Sequence, residues 1–212
     1  MSFDLLAPHY RWLEFVLAGG KLQRCRTAFL REVPLPKNVL ICGEGNGRLL
    51  KAARAAWPDA RITVLDLSAK MLEQAEWRMG TEGRGKTEFV NADILQWEPP
   101  PQQFDLIVTH FFLDCFRPEQ LELVVAKLST AATAQANWLL ADFQAPPAGL
   151  GRVRAQLILK LMYGTFRLAT RLPARDLTPP DTFLRGQGFE LRQKRLSEWG
   201  LLRTDWWGRG GK

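Results

Sequence analysis

The order of short apolar runs and amphipathic segments is the feature that most constrains this chain. Five runs have the length and composition of β-strands: 39–42, 62–65, 88–91, 104–109 and 137–143. Three segments between them have helical patterns: 48–56, 69–79 and 118–129. Ser68 and Pro118 suit the first positions of the second and third of these helices. Strands that alternate with helices of this length predict a mostly parallel sheet with helices on both faces.

Both ends of the chain extend this α/β pattern. Residues 4–31 have a helical pattern with a break near Gly19 and Gly20. Residues 181–212 predict a helix and then two strands that meet near 197–200. The sequence therefore predicts a single domain over 1–212, with a Rossmann-like sheet of seven strands.

The net charge of +7 is concentrated in the last third of the chain. Residues 151–212 hold 13 Lys and Arg against 5 Asp and Glu, whereas residues 1–150 hold 16 against 17. A basic face attracts nucleic acid, anionic lipid or an acidic substrate. The alternative is a solvated surface that keeps the protein in solution.

The start of the chain and its cysteines indicate where the protein works. The opening MSFDLLAPHYRWLEF lacks the pattern of a secretory signal, and no run of about 18 apolar residues predicts a transmembrane helix. The three cysteines are scattered, which suits buried thiols in a reducing compartment. With His9 and His110 as the two histidines, no spacing predicts a metal site. We expect a cytoplasmic protein without a bound metal.

A glycine-rich loop follows the first predicted strand, in NVLICGEGNGRLL. Gly43, Gly45 and Gly47 allow a sharp turn and a close approach to a ligand, and the next helix offers free N–H groups. Arg48 occupies the position of the third glycine in a dinucleotide-binding fingerprint, which disfavours a dehydrogenase. The loop also lacks the Gly-Lys-Ser/Thr ending of a nucleotide phosphate loop.

Carboxylates end the next two predicted strands. Asp66, in ITVLDLS, lies 19 residues beyond Gly47, where it can accept hydrogen bonds from both hydroxyls of a ribose. Asp93, in FVNADIL, is placed to receive an adenine amino group. The fourth strand, in FDLIVTHFFLDCF, ends in polar and aromatic residues.

The glycine loop, Asp66, Asp93 and FDLIVTHFF together resemble the class I S-adenosylmethionine-dependent methyltransferases. The likeness is close over about 36–145, and FDLLAPHYRWLE resembles the segment that small-molecule members, including those of quinone biosynthesis, fold over the cofactor. The resemblance implies S-adenosylmethionine as cofactor and S-adenosylhomocysteine as product. It divides the chain into a helical lid, a cofactor-binding core, a helical substrate cover, and a final helix with a strand pair: 1–35, 36–145, 146–180 and 181–212.

The resemblance also implies a set of cofactor-binding residues. They come from the lid, the glycine loop and the ends of the second, third and fourth strands: Tyr10, Gly43, Glu44, Gly45, Asn46, Gly47, Asp66, Leu67, Met71, Ala92, Asp93, Ile94 and His110.

The loop departs from the family pattern at one position. Many members carry an acid two residues before the first glycine, where it helps to anchor the cofactor amino group, and this chain has Ile41 there. One hypothesis is that Glu44 supplies part of the missing negative charge. The alternative is that Glu44 points to solvent and backbone carbonyls bind the amino group.

Methyl transfer from a sulfonium is an in-line displacement that depends on holding donor and acceptor close, with a base only where the acceptor must lose a proton. His110 is the candidate base, although it could instead pack or hydrogen-bond beside the cofactor. Four residues are candidates for substrate contact: Phe112, Asp114, Asp142 and Tyr163. Asp114 could equally cap a helix, and Asp142 could equally satisfy backbone donors.

The segment 151–171 bears on the acceptor, because on a helix its apolar surface would carry a basic stripe. It could roof an apolar or aromatic acceptor pocket, rest weakly on an anionic membrane, or pack on the core with the stripe in water. We expect methyl transfer to a small, apolar or aromatic acceptor. An RNA methyltransferase, motivated by the basic tail with Trp199, Trp206 and Trp207, and a non-catalytic cofactor binder are the alternatives.

Overall fold

The computed structural model describes residues 20–81, 83–144, 146, 148–149, 151–152, 154–155 and 178–210. Seven strands in these residues form one sheet, in the order β3-β2-β1-β4-β5-β7-β6. The strands are β1 Asn38–Cys42, β2 Arg61–Asp66, β3 Thr87–Asn91, β4 Phe104–His110, β5 Ala132–Phe143, β6 Phe189–Ser197 and β7 Leu202–Arg209. The prediction of a mostly parallel sheet of seven strands is confirmed.

Helices connect most of these strands. The α-helices are α1 Gly20–Thr27, α2 Arg48–Ala56, α3 Ala69–Met79, α4 Pro118–Ala131 and α5 Asp181–Gly186. Short 3-10 turns cover Arg84–Lys86, Leu113–Cys115 and Glu198–Gly200. Ser68 caps α3 by accepting a hydrogen bond from the Met71 N–H at 3.3 Å, and Pro118 is the first residue of α4. Both predicted helix starts are confirmed.

Strand direction fixes where a ligand can bind. Strands β1 to β5 run parallel, so their last residues share one edge of the sheet, which we call the carboxyl edge. Strand β7 runs antiparallel to β5, and its first residue, Leu202, pairs with Phe143 at the end of β5. The turn between β6 and β7 therefore also lies at the carboxyl edge.

Two apolar layers cover the sheet, one on each face. On one face α4 and α5 pack against strand residues that include Leu40, Ile107 and Trp138. On the other face α2 and α3 pack against residues that include Ile41, Val64 and Val108. Successive side chains of a strand point to opposite faces of the sheet, and helices cover both faces. Consecutive residues in the buried strands are therefore apolar. The predicted placement of helices on both faces is confirmed.

Some predicted boundaries differ from the structure. Strand β5 begins at Ala132, five residues before the predicted start, and its pairing with β4 shifts register between Phe104 and Leu106. The sequence ATAQ holds two alanines and lacks the large apolar and aromatic residues that favour a strand, so neighbouring strands determine its conformation. Helix α1 ends at Thr27 and turns follow, although the predicted helical pattern extends to residue 31.

Several predictions lie outside the described residues. They concern the lid over 1–19, with His9 and Tyr10, and most of the substrate cover, with Tyr163. The single-domain organisation stays a prediction. Among the residues described, none of the helices has the length and apolar character needed to cross a membrane.

The packing of the glycine loop on α3 generates a stability prediction. A Cβ on Gly47, at φ +83°, would lie 2.6 Å from the Ala75 Cα, whereas one on Gly188, at φ +80°, would meet no atom of the described residues within 4 Å. Both Gly→Ala variants place a side chain at a positive φ, which costs roughly 1–2 kcal/mol. Gly47→Ala also forces backbone apart, which adds about 1–3 kcal/mol. Urea unfolding should show this extra loss for Gly47→Ala, and equal losses would contradict the close approach.

Candidate functional site

The glycine loop leaves β1 at the carboxyl edge with its backbone turned into the left-handed region. Gly43, Gly45 and Gly47 have φ of +70°, +67° and +83°. The Gly43 N–H donates to the Leu65 carbonyl at 2.9 Å, and a Cβ on Gly43 would lie 2.5 Å from the Phe112 ring. A Cβ on Gly45 would meet no atom of the residues in the described ranges within 4 Å. The loop is packed on two sides and open at its middle glycine, where a ligand can approach the backbone.

The Asp66 carboxylate ties this loop to the end of β2. Its Oδ2 accepts a hydrogen bond from the Gly45 N–H at 3.2 Å, and its Oδ1 accepts one from the Ser68 N–H at 2.9 Å. Burial raises the pKa of Asp66, and the backbone N–H groups lower it in part. Asp66 therefore lies beside the loop, as predicted from its spacing.

The adenine-side residues lie on the neighbouring strand end. Asp93 follows β3, and its Oδ1 accepts a hydrogen bond from the Leu95 N–H at 2.9 Å. The Ala92 N–H donates to the Asp66 carbonyl at 3.2 Å, which holds the two strand ends together. Ile94 is buried and Leu67 is 47% exposed. Because β2 and β3 are adjacent and parallel, the structure brings Asp66 and Asp93 to one region of the carboxyl edge.

Glu44 turns inward from the middle of the glycine loop. Its side chain is buried, and Oε1 accepts a hydrogen bond from the Leu50 N–H at 3.0 Å in the first turn of α2. The other oxygen, Oε2, is buried and has no hydrogen-bond partner among the described residues. Burial raises the pKa of Glu44 from 4.5 to about 7. The alternative that Glu44 points to solvent is wrong.

Arg26 is a site residue that the sequence analysis missed. It is 7% exposed on α1, its guanidinium carbon lies 5.2 Å from the centre of the Phe111 ring, and its charge acts on both Glu44 and His110. A signal was available, because Arg26 lies four residues after Leu22 and so shares the apolar face of α1. A cation on the buried face of a helix indicates an anionic partner or ligand.

His110 is the last residue of β4 and is buried at the carboxyl edge. Within the part of the chain that the structure describes, neither ring nitrogen has a hydrogen-bond partner. Burial, with a smaller effect from the Arg26 charge, lowers the pKa of His110 to about 3. The imidazole is therefore neutral near pH 7 and is a weaker base than an exposed histidine.

Asp114 and Asp142 form a second titratable group on the other face of the sheet. Asp142 is 2% exposed near the end of β5, and Asp114 lies in the 3-10 turn after β4. Burial, with the charge of Asp114, raises the pKa of Asp142, and burial raises the pKa of Asp114 to about 6. Two desolvated carboxyl groups that repel each other hold a proton more readily than exposed ones.

A buried ionic network keeps the nearby guanidinium occupied. Arg203 lies opposite Asp142 in the register of β5 and β7. Its Nη1 donates to Asp181 Oδ2 at 2.7 Å, and its Nη2 donates to the Asp205 carboxylate. The Arg203 charge lowers the pKa of Asp142 by less than burial and the Asp114 charge raise it. The alternation Arg203-Thr204-Asp205 in a strand was the available sequence signal, since it places both charges on one face.

The structure thus brings most of the predicted site residues together at one edge. The glycine loop, Asp66, Asp93 and His110 end neighbouring strands, and Phe112 packs on Gly43. The buried Met71 N–H is held by Ser68, and the carbonyl of Asn46 accepts from Arg78 Nε at 2.7 Å. In the described ranges, no group of three or more His, Cys, Asp or Glu could hold a metal ion.

The buried Glu44 carboxyl generates a pH prediction. Its folded pKa of about 7 exceeds the ordinary 4.5, so the folded state binds the proton more tightly than the unfolded chain between these values. The free energy of unfolding should therefore fall as pH rises through this window, by on the order of 3 kcal/mol, and level off above it. Glu44→Gln keeps an acceptor for the Leu50 N–H and should lack this component.

The comparison requires urea unfolding of wild type and Glu44→Gln at several pH values from 4.5 to about 8. The difference in unfolding free energy between the two proteins should shift with pH in favour of the variant at the alkaline end. A difference that stays constant across the window would show that Glu44 is not desolvated.

Comparison with known sequences places the chain in a family. Residues 39–154 match the methyltransferase domain family. The trans-aconitate 2-methyltransferase of Streptomyces coelicolor is 37% identical over 111 residues, which are 49% of this chain and 36% of that protein. The malonyl-[acyl-carrier protein] O-methyltransferase of a Paenibacillus species is 32% identical over 111 residues, 51% of this chain and 39% of that protein. The chain thus spans less than half the length of these relatives.

Comparison with solved structures agrees with the fold. The N-methyltransferase NodS of Bradyrhizobium japonicum, in complex with S-adenosylhomocysteine, has a TM-score of 0.68 at 12% identity. The match covers 93% of this chain and 91% of NodS. Together with the sheet order and the glycine loop at the carboxyl edge, the sequence match shows that this chain belongs to the methyltransferase domain family.

Proposed function

We propose that this protein transfers a methyl group from S-adenosylmethionine to a small, apolar or aromatic acceptor. The observation that carries the proposal is the Asp66 carboxylate, which is bonded to the middle of a glycine loop that is open to a ligand. Family membership and the likeness to NodS support the choice of cofactor. The relatives named above support a small-molecule acceptor.

The residues present fit this cofactor. The open backbone at Gly45 leaves room for a ligand, and Glu44 Oε2, which lacks a partner in the described residues, offers a buried acceptor for an ammonium group. Asp66 would bind the ribose and Asp93 the adenine. The buried Arg26 would attract a carboxylate. When bound, the cofactor would supply a methyl group on a sulfonium, which is already a good leaving group.

The acceptor would be received beside the ends of β4 and β5. The Phe112 ring and the buried apolar residues of β4 provide apolar contacts. Asp114 and Asp142 can take up or share a proton. His110 stays neutral near pH 7 because of its lowered pKa, so we propose that it hydrogen-bonds to cofactor or acceptor. Holding the reactants together is expected to provide most of the rate enhancement.

The hypothesis for Glu44 is retained in this proposal. Ile41 is buried in β1, and Glu44 is the acidic residue within the motif NVLICGEGNGRLL. Its pKa of about 7 leaves the carboxyl group only partly ionised near neutral pH, and a bound cation would favour the ionised form. We infer that an ammonium group of the cofactor supplies that charge.

The wider setting of the reaction is also a proposal. We infer a cytoplasmic location, which the free thiols of Cys25, Cys42 and Cys115 support. An RNA acceptor is disfavoured because Trp207 is buried and Trp206 is half-buried, so neither is available to stack bases. A protein that binds the cofactor without turnover would differ from this proposal in showing no methyl transfer.

Calorimetric titration with S-adenosylhomocysteine tests the cofactor assignment, with NAD as the control ligand. The wild-type protein should bind S-adenosylhomocysteine alone. Asp66→Asn should bind it at least about tenfold more weakly, since hydrogen bonds to a charged group contribute about 1.5–3 kcal/mol each. Asp59→Asn is the matched control, because the Asp59 side chain is 95% exposed and pairs only with Lys86 among described cations.

The same titration decides the role of Glu44. Glu44→Gln should weaken S-adenosylhomocysteine binding by about tenfold, because an amide does not offset the charge of an ammonium group. Unchanged affinity would remove Glu44 from the cofactor site. Binding of NAD instead of S-adenosylhomocysteine by the wild-type protein would overturn the cofactor assignment itself.

A further inference from the structure

The turn between β6 and β7 presents an exposed tryptophan at the carboxyl edge. Trp199 is 77% exposed, and Leu196, at the end of β6, is 55% exposed. Leu202, the first residue of β7, pairs with Phe143, so the turn lies beside the end of β5. We call Trp199 and Leu196, with the cations that surround them, the tip surface. The tip surface lies at the same edge of the sheet, the carboxyl edge, as the candidate site.

The backbone holds the tryptophan outward in an unfavourable conformation. Glu198, Trp199 and Gly200 are successive left-handed residues with φ of +52°, +61° and +80°. Such a conformation is uncommon for residues with a side chain. The Glu198 carboxylate pairs with Lys21 of α1, and the Glu198 carbonyl accepts a hydrogen bond from Arg154 at 3.3 Å. The turn is thus fixed on both sides while its apolar ring stays in water.

Two cations contact the turn that carries this ring. The Arg154 guanidinium carbon lies 5.9 Å from the centre of the Trp199 ring, and Lys21 pairs with the Glu198 carboxylate. Arg24, three residues after Lys21 on α1, is also exposed. Arg195, on β6 just before Leu196, packs its guanidinium on the Phe29 ring and pairs with Glu32, so it is not counted among the cations at the ring. Residues 151–212 as a whole hold 13 basic against 5 acidic residues.

We propose that the tip surface rests on an anionic lipid bilayer and that the acceptor is an amphiphile taken from that layer. The choice of acceptor rests on the proposed methyltransferase function, whereas the lipid contact does not. Tryptophan favours the membrane–water interface, and clustered Lys and Arg are attracted to anionic headgroups. A track for single-stranded RNA needs successive exposed aromatics, and of Trp199, Trp206 and Trp207 only the first is exposed.

Co-sedimentation of the full chain with vesicles tests the proposal. The wild-type protein should bind vesicles of phosphatidylcholine mixed with phosphatidylglycerol, bind phosphatidylcholine alone weakly, and lose binding as salt is added. Trp199→Asn should bind the anionic vesicles several-fold more weakly, and asparagine tolerates the left-handed backbone. Trp77→Asn is the matched control, since Trp77 is 81% exposed on α3, away from the tip surface, and should bind as the wild type does.

A second variant tests the charge independently of the ring. Arg154→Gln should weaken binding to anionic vesicles about fivefold, because each cation near such a surface contributes about a factor of that size. Absence of wild-type binding, or equal binding by wild type, Trp199→Asn and Trp77→Asn, would overturn the proposal. Salt-sensitive RNA binding that Trp199→Asn abolishes, without vesicle binding, would overturn it in favour of RNA.

Calorimetry with S-adenosylhomocysteine separates this proposal from the proposed function. Trp199→Asn should bind S-adenosylhomocysteine as the wild type does, since Trp199 is not among the cofactor residues. Vesicle binding without S-adenosylhomocysteine binding would leave the lipid contact standing and refute the methyltransferase function. S-adenosylhomocysteine binding without vesicle binding would support the cofactor assignment and refute the lipid contact.

Discussion

The carboxylate of Asp66 holds together three parts of the carboxyl edge. It ends β2, accepts the N–H of Gly45 from the glycine loop, and accepts the N–H of Ser68 at the start of α3. Burial raises its pKa, so the two N–H groups offset part of the cost of keeping the group ionised. Because the same carboxylate positions the loop and faces the ligand region, geometry and binding depend on one group.

The carboxyl edge also concentrates ionisable groups that are poorly solvated. Glu44, His110 and Asp142 are each at most 6% exposed, and burial is the main cause of each pKa change. Groups of this kind destabilise a fold unless a ligand or partner compensates, and they are concentrated at functional sites. Two buried arginines, Arg26 on one face of the sheet and Arg203 on the other, show two ways in which such groups are compensated. Arg203 is occupied by Asp181 and Asp205, whereas Arg26 lies close enough to act on Glu44 and His110.

The sequence predicted those features that depend on local pattern. The strand and helix alternation, the Ser68 cap and the turn near 197–200 follow from periodicity and from residues that suit helix starts and turns. It did not predict the early start of β5, because ATAQ becomes a strand only through its neighbours. Nor did it predict Arg26 beside Glu44 or the repulsion between Asp114 and Asp142, since both depend on how α1 and the ends of β4 and β5 are brought together.

The crystal structure of the protein with S-adenosylhomocysteine would test the central claim most directly, because it shows which atoms each carboxylate contacts. The account predicts the ribose hydroxyls within hydrogen-bond distance of Asp66, the adenine beside Asp93, and the amino group at the inward oxygen of Glu44. Density for the ligand at another edge of the sheet would contradict it. So would a ligand bound over the glycine loop with Asp66 still bonded only to Gly45 and Ser68.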